Sequence, residues 1–227
     1  MSLSEEVDRL RQRYGHLDGL DLLAAMREEF PASLAVISSF GAEAAVLLDL
    51  VAQLDKTIPV IFLDTGELFD ETLAYHEQLV KFLELSDVRV IQPDSVDLKR
   101  AEDLWRVDPD ACCRLRKVLP LQRAVGGFHA LVDGRKQYHG GDRERLSPIG
   151  AGLDGVVKIS PLAHWSEERI ETAFQTRNLP RHPLLAQGYR SIGCWPCSRP
   201  TGCGEPIRAG RWAGAAKTEC GIHQVNK

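Results

Sequence analysis

Five short apolar runs of strand character, at 34–38, 59–64, 88–91, 129–133 and 156–159, alternate with longer helical stretches, and this alternation restricts the fold more than any other feature of the chain. Helical periodicity covers 4–14, 18–29, 42–54 and 70–84, with Leu10, Leu20, Leu23 and Met26 on the apolar faces of the first two. Strands that alternate with helices of this length build βαβ units. They predict an α/β fold, a mostly parallel sheet flanked by helices on both faces. In such sheets a ligand lies beyond the carboxyl ends of the strands, where the strand order reverses.

Two strand ends carry informative loops. Ser38-Ser39-Phe40-Gly41-Ala42-Glu43 is a small-residue turn that opens a helix, where hydroxyls and backbone N–H groups can hold an anion or simply cap the helix. Leu63-Asp64-Thr65-Gly66-Glu67 combines a glycine that admits close backbone approach with polar groups able to bond a ribose or base. Neither loop fits the Walker or dinucleotide pattern, so a mononucleotide-like ligand is the better reading.

Charge narrows the partners. The 227 residues carry a net charge of −4, against a general nucleic-acid binder. The stretch from Arg199 onward has five Lys/Arg against two Asp/Glu, a basic tail on an acidic body that suits a small anionic ligand or merely aids solubility. With 44% hydrophobic and 26% charged residues the chain reads as one globular domain with an appendage. No apolar run approaches the roughly 18 residues of a membrane span. The start, MSLSEEVDRL, lacks the basic and apolar regions of a secretory signal, so a cytoplasmic protein is expected.

In that compartment the six cysteines are not expected to form disulfides. Cys194-Trp-Pro-Cys197 points two sulfurs at one centre, and Cys112-Cys113 supplies two more. Four thiolates can hold zinc or an iron–sulfur cluster. An adjacent Cys-Cys is awkward for a compact tetrahedral ion, which favours [4Fe–4S]. A redox CxxC is a weaker reading, because that motif follows a first strand in thioredoxin-like chains and here lies late, beside Pro196 and Pro200. Cys220 stands apart. Arg208, Arg211 and Lys217 precede it and His223 follows, a cationic setting that favours a thiolate nucleophile, although a lone terminal cysteine is often an incidental surface thiol. Glycines at 202, 204, 210, 214 and 221 would let this segment close over a cleft.

From about Leu34 to His223 the chain resembles the assimilatory adenylylsulfate reductases of the phosphoadenylylsulfate reductase family. The resemblance rests on Cys112-Cys113-Arg114-Leu115-Arg116-Lys117, the Cys194/Cys197 pair, Arg208-Ala209-Gly210-Arg211-Trp212 and Lys217-Thr218-Glu219-Cys220-Gly221-Ile222-His223. It implies the adenine-nucleotide α-hydrolase-like fold, related to the PP-loop fold. It also implies a [4Fe–4S] cluster on Cys112, Cys113, Cys194 and Cys197, because members acting on 3′-phosphorylated substrate generally lack these pairs. The implied activity is thioredoxin-dependent reduction of adenosine 5′-phosphosulfate (APS) to sulfite and AMP, in sulfate assimilation and cysteine biosynthesis. A 3′-phosphoadenylylsulfate reductase or a dual-substrate enzyme is the alternative. Thioredoxin is the implied protein partner, nucleic acid and membrane are not, and a homo-oligomer is left open.

By the same resemblance Cys220 is the nucleophile and Lys117 and His223 join it in catalysis. Ser38 and Gly41 form the phosphate loop, Leu63, Asp64, Thr65 and Gly66 the nucleotide turn, and Arg135, Arg208 and Arg211 meet the phosphosulfate. Residues 1–205 would form one nucleotide- and cluster-binding domain, and 206–227 a mobile segment carrying the nucleophile. Where many relatives read Ser-Phe-Ser-Gly-Ala-Glu-Asp, this chain has Ser38-Ser39-Phe40-Gly41-Ala42-Glu43-Ala44, and His139-Gly-Gly-Asp-Arg143-Glu-Arg145 replaces a segment that often ends in Gln-Ser-Pro. Cys203 falls outside the usual set, an inert loop thiol or a resolving partner for Cys220. A sulfur-transferring RNA enzyme of the ATP-pyrophosphatase type and a zinc module are the competing classes.

Overall fold

The computed structural model describes residues 1–152, 155–212 and 217–223. Its strands are β1 (Leu34–Ser38), β2 (Val60–Leu63), β3 (Val88–Ile91), β4 (Ala130–Val132), β5 (Ile149–Ala151) and β6 (Val157–Ile159), in the order β3-β2-β1-β4-β6-β5 among the described residues. All neighbours are parallel except β5, which runs antiparallel to β6 at the edge. The α/β expectation therefore holds. The unforeseen strand is β5, whose Ile-Gly-Ala offers one bulky side chain and no readable alternation.

Helices α1 (Leu3–Tyr14), α2 (Gly19–Glu29), α3 (Ala44–Leu54) and α4 (Asp70–Leu83) lie within two residues of the expected ranges. Ser2 caps α1 through a capping box with Glu5. In α2 the buried side chains are Leu22, Leu23 and Met26, whereas Leu20 is only partly covered. Short helices follow at Ser95–Arg100 (α5), Leu104–Val107 (α6), Pro109–Cys113 (α7) and Leu119–Ala124 (α8), and α9 spans Glu167–Thr176. Four to six residues make too few turns for an apolar stripe to register in sequence. Among the described residues no helix is long and apolar enough to cross a membrane.

β1 is buried along its whole length because parallel strands pack on both faces. The chain moves outward from β1 through β2 to β3, then returns to lay β4 on the other side of β1. The order therefore reverses between β1 and β4, and the loops leaving their carboxyl ends, 39–43 and 133–143, flank one crevice. The first loop is held by Phe40, which is fully buried with its ring 4.9 Å from Phe62 and 4.7 Å from His76. Phe40 adopts a left-handed φ of 47°. That conformation costs on the order of 1 kcal/mol, which burial of the aromatic ring offsets.

Candidate active site

The crevice is a cleft with about 1200 Å³ of empty space including its solvent-filled mouth. Ser38 and Gly41 line it from the β1 loop, Leu63 and Thr65 from the end of β2, and Arg135 from the β4 loop. Ala42 and Ala44 line it too, so the electropositive start of α3 faces the cleft. Ser38 Oγ accepts the Phe40 N–H at 3.2 Å and thus shapes the loop. Asp64 and Gly66, expected in the nucleotide turn, are not among the lining residues. The Asp64 carboxylate instead accepts from the Gly66 N–H (3.0 Å) and Gln92 Nε2 (2.7 Å).

Carboxylates neutralise several of the cleft's cations from within the fold. Arg135 Nε donates to Asp133 at 2.9 Å, and Lys136 Nζ lies 2.8 Å from Glu43. Glu43 also accepts from Tyr138 Oη (2.5 Å) and lies 3.0 Å from His139 Nε2, fixing the β4 loop against the β1 loop. Burial opposes the charge on Glu43, yet Lys136 and His139 hold its carboxyl well below the usual range. Arg143 and Arg208 share Glu219. Among the described residues no carboxylate pairs with Lys117 or Arg211, and both line the cleft. Two uncompensated cations at a strand-order reversal suit an anion attached to a nucleotide.

Arg211 is placed by a missing side chain. A Cβ on Gly193 would lie 2.2 Å from Arg211 Nη2 and 2.5 Å from Cζ, while Arg211 Nε donates to the Cys197 carbonyl at 3.2 Å. The guanidinium also packs 4.5 Å from the centre of the Trp212 ring, which Arg208 and Lys217 approach at 5.8 and 5.7 Å. Gly193→Ala is therefore expected to displace the guanidinium, raise KM about tenfold, and leave the melting temperature near wild type, since the far end of a flexible side chain yields. Steady-state kinetics with calorimetry check this; an unchanged KM would remove Arg211 from substrate binding.

The cysteine pairs meet behind the cleft. Cys112 and Cys113 end α7, which passes through a π-helical turn, Arg114–Val118, into α8. Such turns re-aim side chains and recur at functional sites. The loop after β2 brings the second pair alongside. Arg116, 5% exposed, donates to the Thr65 carbonyl at 2.7 Å and pairs with Glu67 at 2.9 Å. Thr65 Oγ1 lies 3.2 Å from Cys194 Sγ, and the Trp195 N–H donates to the Glu67 carbonyl at 2.8 Å. The stretch 65–67 is thus a scaffold for the cysteines as well as a wall of the cleft. Cys112, Cys113, Cys194 and Cys197 line one small, tightly packed cavity with Trp105, Arg116 and Pro196. Burial raises the thiols of Cys112 and Cys197 and pushes that of Cys113 up to about 12. Among the described residues Lys117 alone lines both cavities. Burial works against its charge, but the sulfurs of Cys194, Cys220 and Cys113 outweigh it and hold the ammonium above the usual lysine range.

The described part of the C-terminal segment closes the cleft. Cys220 and His223 line it, and Ile222 packs on the apolar cluster of Ile37, Leu63 and Leu131. Lys217 pairs with Asp110, and Thr218 Oγ1 donates to Asp142 at 2.7 Å. Within 206–227, residues 213–216 and 224–227 lie outside the described residues. The His223 side chain is only 12% exposed. Burial and the neighbouring Arg135 depress this imidazole well below its ordinary value, so it stands neutral 3.5 Å from Asp133. Cys203 is exposed and lines neither cavity, and Arg145 is exposed outside the cleft. Glu43, Trp212 and Glu219 carry no signal in the sequence that marks them for the cleft, and Arg143 stands there only within the divergent 139–145 segment.

A mostly parallel sheet thus carries a cleft at its order reversal, lined by Lys117 and Arg211, unpaired among the described residues, and faced by Cys220 of the C-terminal segment. The chain belongs to the phosphoadenosine phosphosulfate reductase domain family, whose model matches residues 33–200. It is 45% identical over 214 residues to the adenosine 5′-phosphosulfate reductase of Mesorhizobium japonicum, covering 92% of this chain and 84% of that protein. It is 43% identical to the Chelativorans protein of the same name, covering 97% of this chain and 93% of that one. Among solved structures, the phosphoadenylyl-sulfate reductase of Candida auris, a phosphate complex, superposes with a TM-score of 0.73 at 26% identity, covering 84% of this chain and 95% of that one. The FMN adenylyltransferase of Candida glabrata shares the fold at a TM-score of 0.57 and 18% identity, covering 85% of this chain and 64% of that one. The fold is thus the adenine-nucleotide α-hydrolase-like sheet that the resemblance implies.

Proposed function

We propose that this protein reduces APS to sulfite and AMP in sulfate assimilation, with Cys220 as nucleophile and thioredoxin as reductant. The observation that carries the reading is the placement of Cys220 in a cleft with Lys117, a residue shared with the four-cysteine cavity. The names of the relatives supply the substrate class. In the first step the Cys220 thiolate attacks the sulfur of the phosphosulfate. An S–S bond forms, the sulfur–oxygen bond to phosphate breaks, and AMP leaves with the electron pair. Charge concentrates on the leaving phosphate and the sulfo oxygens, where Lys117 and Arg211 stabilise the transition state more than the ground state. In the second step a thioredoxin thiolate attacks the Cys220 sulfur, sulfite departs with the bonding pair, and the second thioredoxin thiol resolves the mixed disulfide. The two electrons come from that dithiol. Residues 206–227 serve as the closing segment, docked for the first step and released for the second. Ser38, Gly41, Leu63 and Thr65 hold the nucleotide, and His223 packs on Asp133 behind the nucleophile.

Cys112, Cys113, Cys194 and Cys197 fit a [4Fe–4S] cluster. All four residues line one pocket and together supply the four thiolates that such a cluster takes. When bound, the cluster supplies a fixed charge distribution beside Lys117, since the dithiol already balances the electrons. Anaerobically purified protein is expected to be brown, with iron and acid-labile sulfide in equal amounts, and Cys113→Ser to lose both. A colourless zinc protein would refute the assignment. Sulfite release assayed with APS and with its 3′-phosphorylated form, with and without thioredoxin, tests the activity. Faster turnover of the 3′-phosphorylated nucleotide would replace the substrate proposed here.

A further inference from the structure

Glu219 stands directly before Cys220, and its carboxylate carries the strongest tie between the C-terminal segment and the body. Arg143 grips it bidentately, Nε at 2.5 Å and Nη2 at 3.0 Å, and Arg208 Nη2 adds a third approach at 3.4 Å. The side chains of Arg143, Glu219 and Arg208 are only 12%, 13% and 16% exposed. Of the other side-chain ties made by 217–223, Lys217 reaches Asp110, which is 83% exposed, the Thr218–Asp142 hydrogen bond is at the surface, and uncharged His223 lies 3.5 Å from shielded Asp133. Exposed pairs contribute little and are screened by salt, whereas a shielded bidentate arginine–carboxylate pair is directional and strong. Arg208 also donates to the Thr218 carbonyl at 2.7 Å, fixing the backbone one residue before the carboxylate. Both arginines line the cleft, so the grip lies at its wall.

We propose that Glu219 is the positioning residue of the first half-reaction, a latch that docks on Arg143 and Arg208 and thereby sets the Cys220 sulfur in the cleft. Glu219 touches no reacting atom. Its effect passes through the adjoining peptide to Cys220, and opening of the same latch releases the sulfonated cysteine to the reductant. This inference rests on Cys220 as nucleophile.

The test uses full-length, anaerobically purified protein and a bulky maleimide, with alkylation of each cysteine read by peptide mass. Exposed Cys203 serves as the internal reference. In Glu219→Gln, Cys220 labelling without substrate is expected to rise roughly 30-fold relative to Cys203, the weight of one truncated, shielded charge pair. Adduct formation from APS is expected to slow, while thioredoxin-driven sulfite release from preformed adduct keeps its rate or quickens. Glu219→Asp, which keeps the charge, is expected to recover most of both effects, and Thr218→Ala to change neither appreciably. Unchanged Cys220 labelling in Glu219→Gln overturns the latch, as does equal slowing of both half-reactions. Tighter AMP binding without added labelling also overturns it and marks Glu219 as a competitor of the substrate anion. Absence of adduct on Cys220 in the wild type would instead defeat the underlying mechanism.

Discussion

Cys220→Ser is expected to lower sulfite formation by roughly three orders of magnitude or more, about 4 kcal/mol in the barrier, with AMP bound as tightly as in the wild type. Serine fits the same space, since Cys220 is only partly buried and the Glu219–Arg143 latch is untouched. What is lost is the ionisable sulfur: a hydroxyl is not ionised near neutral pH, and burial together with the neighbouring Arg135 makes the His223 imidazole a weak base for activating it. The melting temperature should move little, and incubation with 35S-labelled substrate should leave no stable protein adduct. A Cys220→Ser protein that retained the label, or turned over within tenfold of wild type, would place the nucleophile elsewhere.

Lys117→Ala is expected to cost about 10²–10³ in the rate of adduct formation, the usual cost of deleting one preorganised cationic donor from a shielded site. Lys117 emerges from the π-helical turn that follows Cys113, lines both cavities, and has no carboxylate partner among the described residues, so its charge stays available to the cleft. Lys117→Arg should recover part of the loss by keeping the charge in a bulkier fork. Because the residue is a donor and not a ligand, iron and acid-labile sulfide should remain at wild-type levels in both variants. A rate within threefold of wild type would exclude Lys117 from the transition state. Loss of iron in parallel with activity would assign it a structural role in the cysteine cavity.

The parallel sheet was legible because its strands are short runs rich in Val, Ile and Leu: Leu34–Ser38, and Val88–Ile91 despite its central Arg89, match the reading to the residue. β5 was not, since Ile149-Gly-Ala pairs through tertiary context without a pattern of its own. In the site, the Cys112/Cys113 and Cys194/Cys197 pairs are visible as spacing, but what joins them is not. Arg116 reaches Thr65 and Glu67 across about fifty positions, a contact with no local signature. For the same reason 64–66 reads as a nucleotide turn although Asp64 and Gly66 lie off the cleft and Thr65 faces a cysteine. Glu219 reads only as one acid in a basic tail until Arg143 and Arg208 are seen to close on it.

The central claim is that the oxidised sulfur passes through a covalent bond to one cysteine of the closing segment. A single turnover of wild-type protein with APS, without reductant, followed by peptide mass mapping, tests it most directly. The account predicts one AMP released per chain and one SO₃ group added to the peptide bearing Cys220, removed as sulfite when thioredoxin is supplied. AMP released with Cys220 unmodified, or the group found on Cys203 or any other residue, would contradict it.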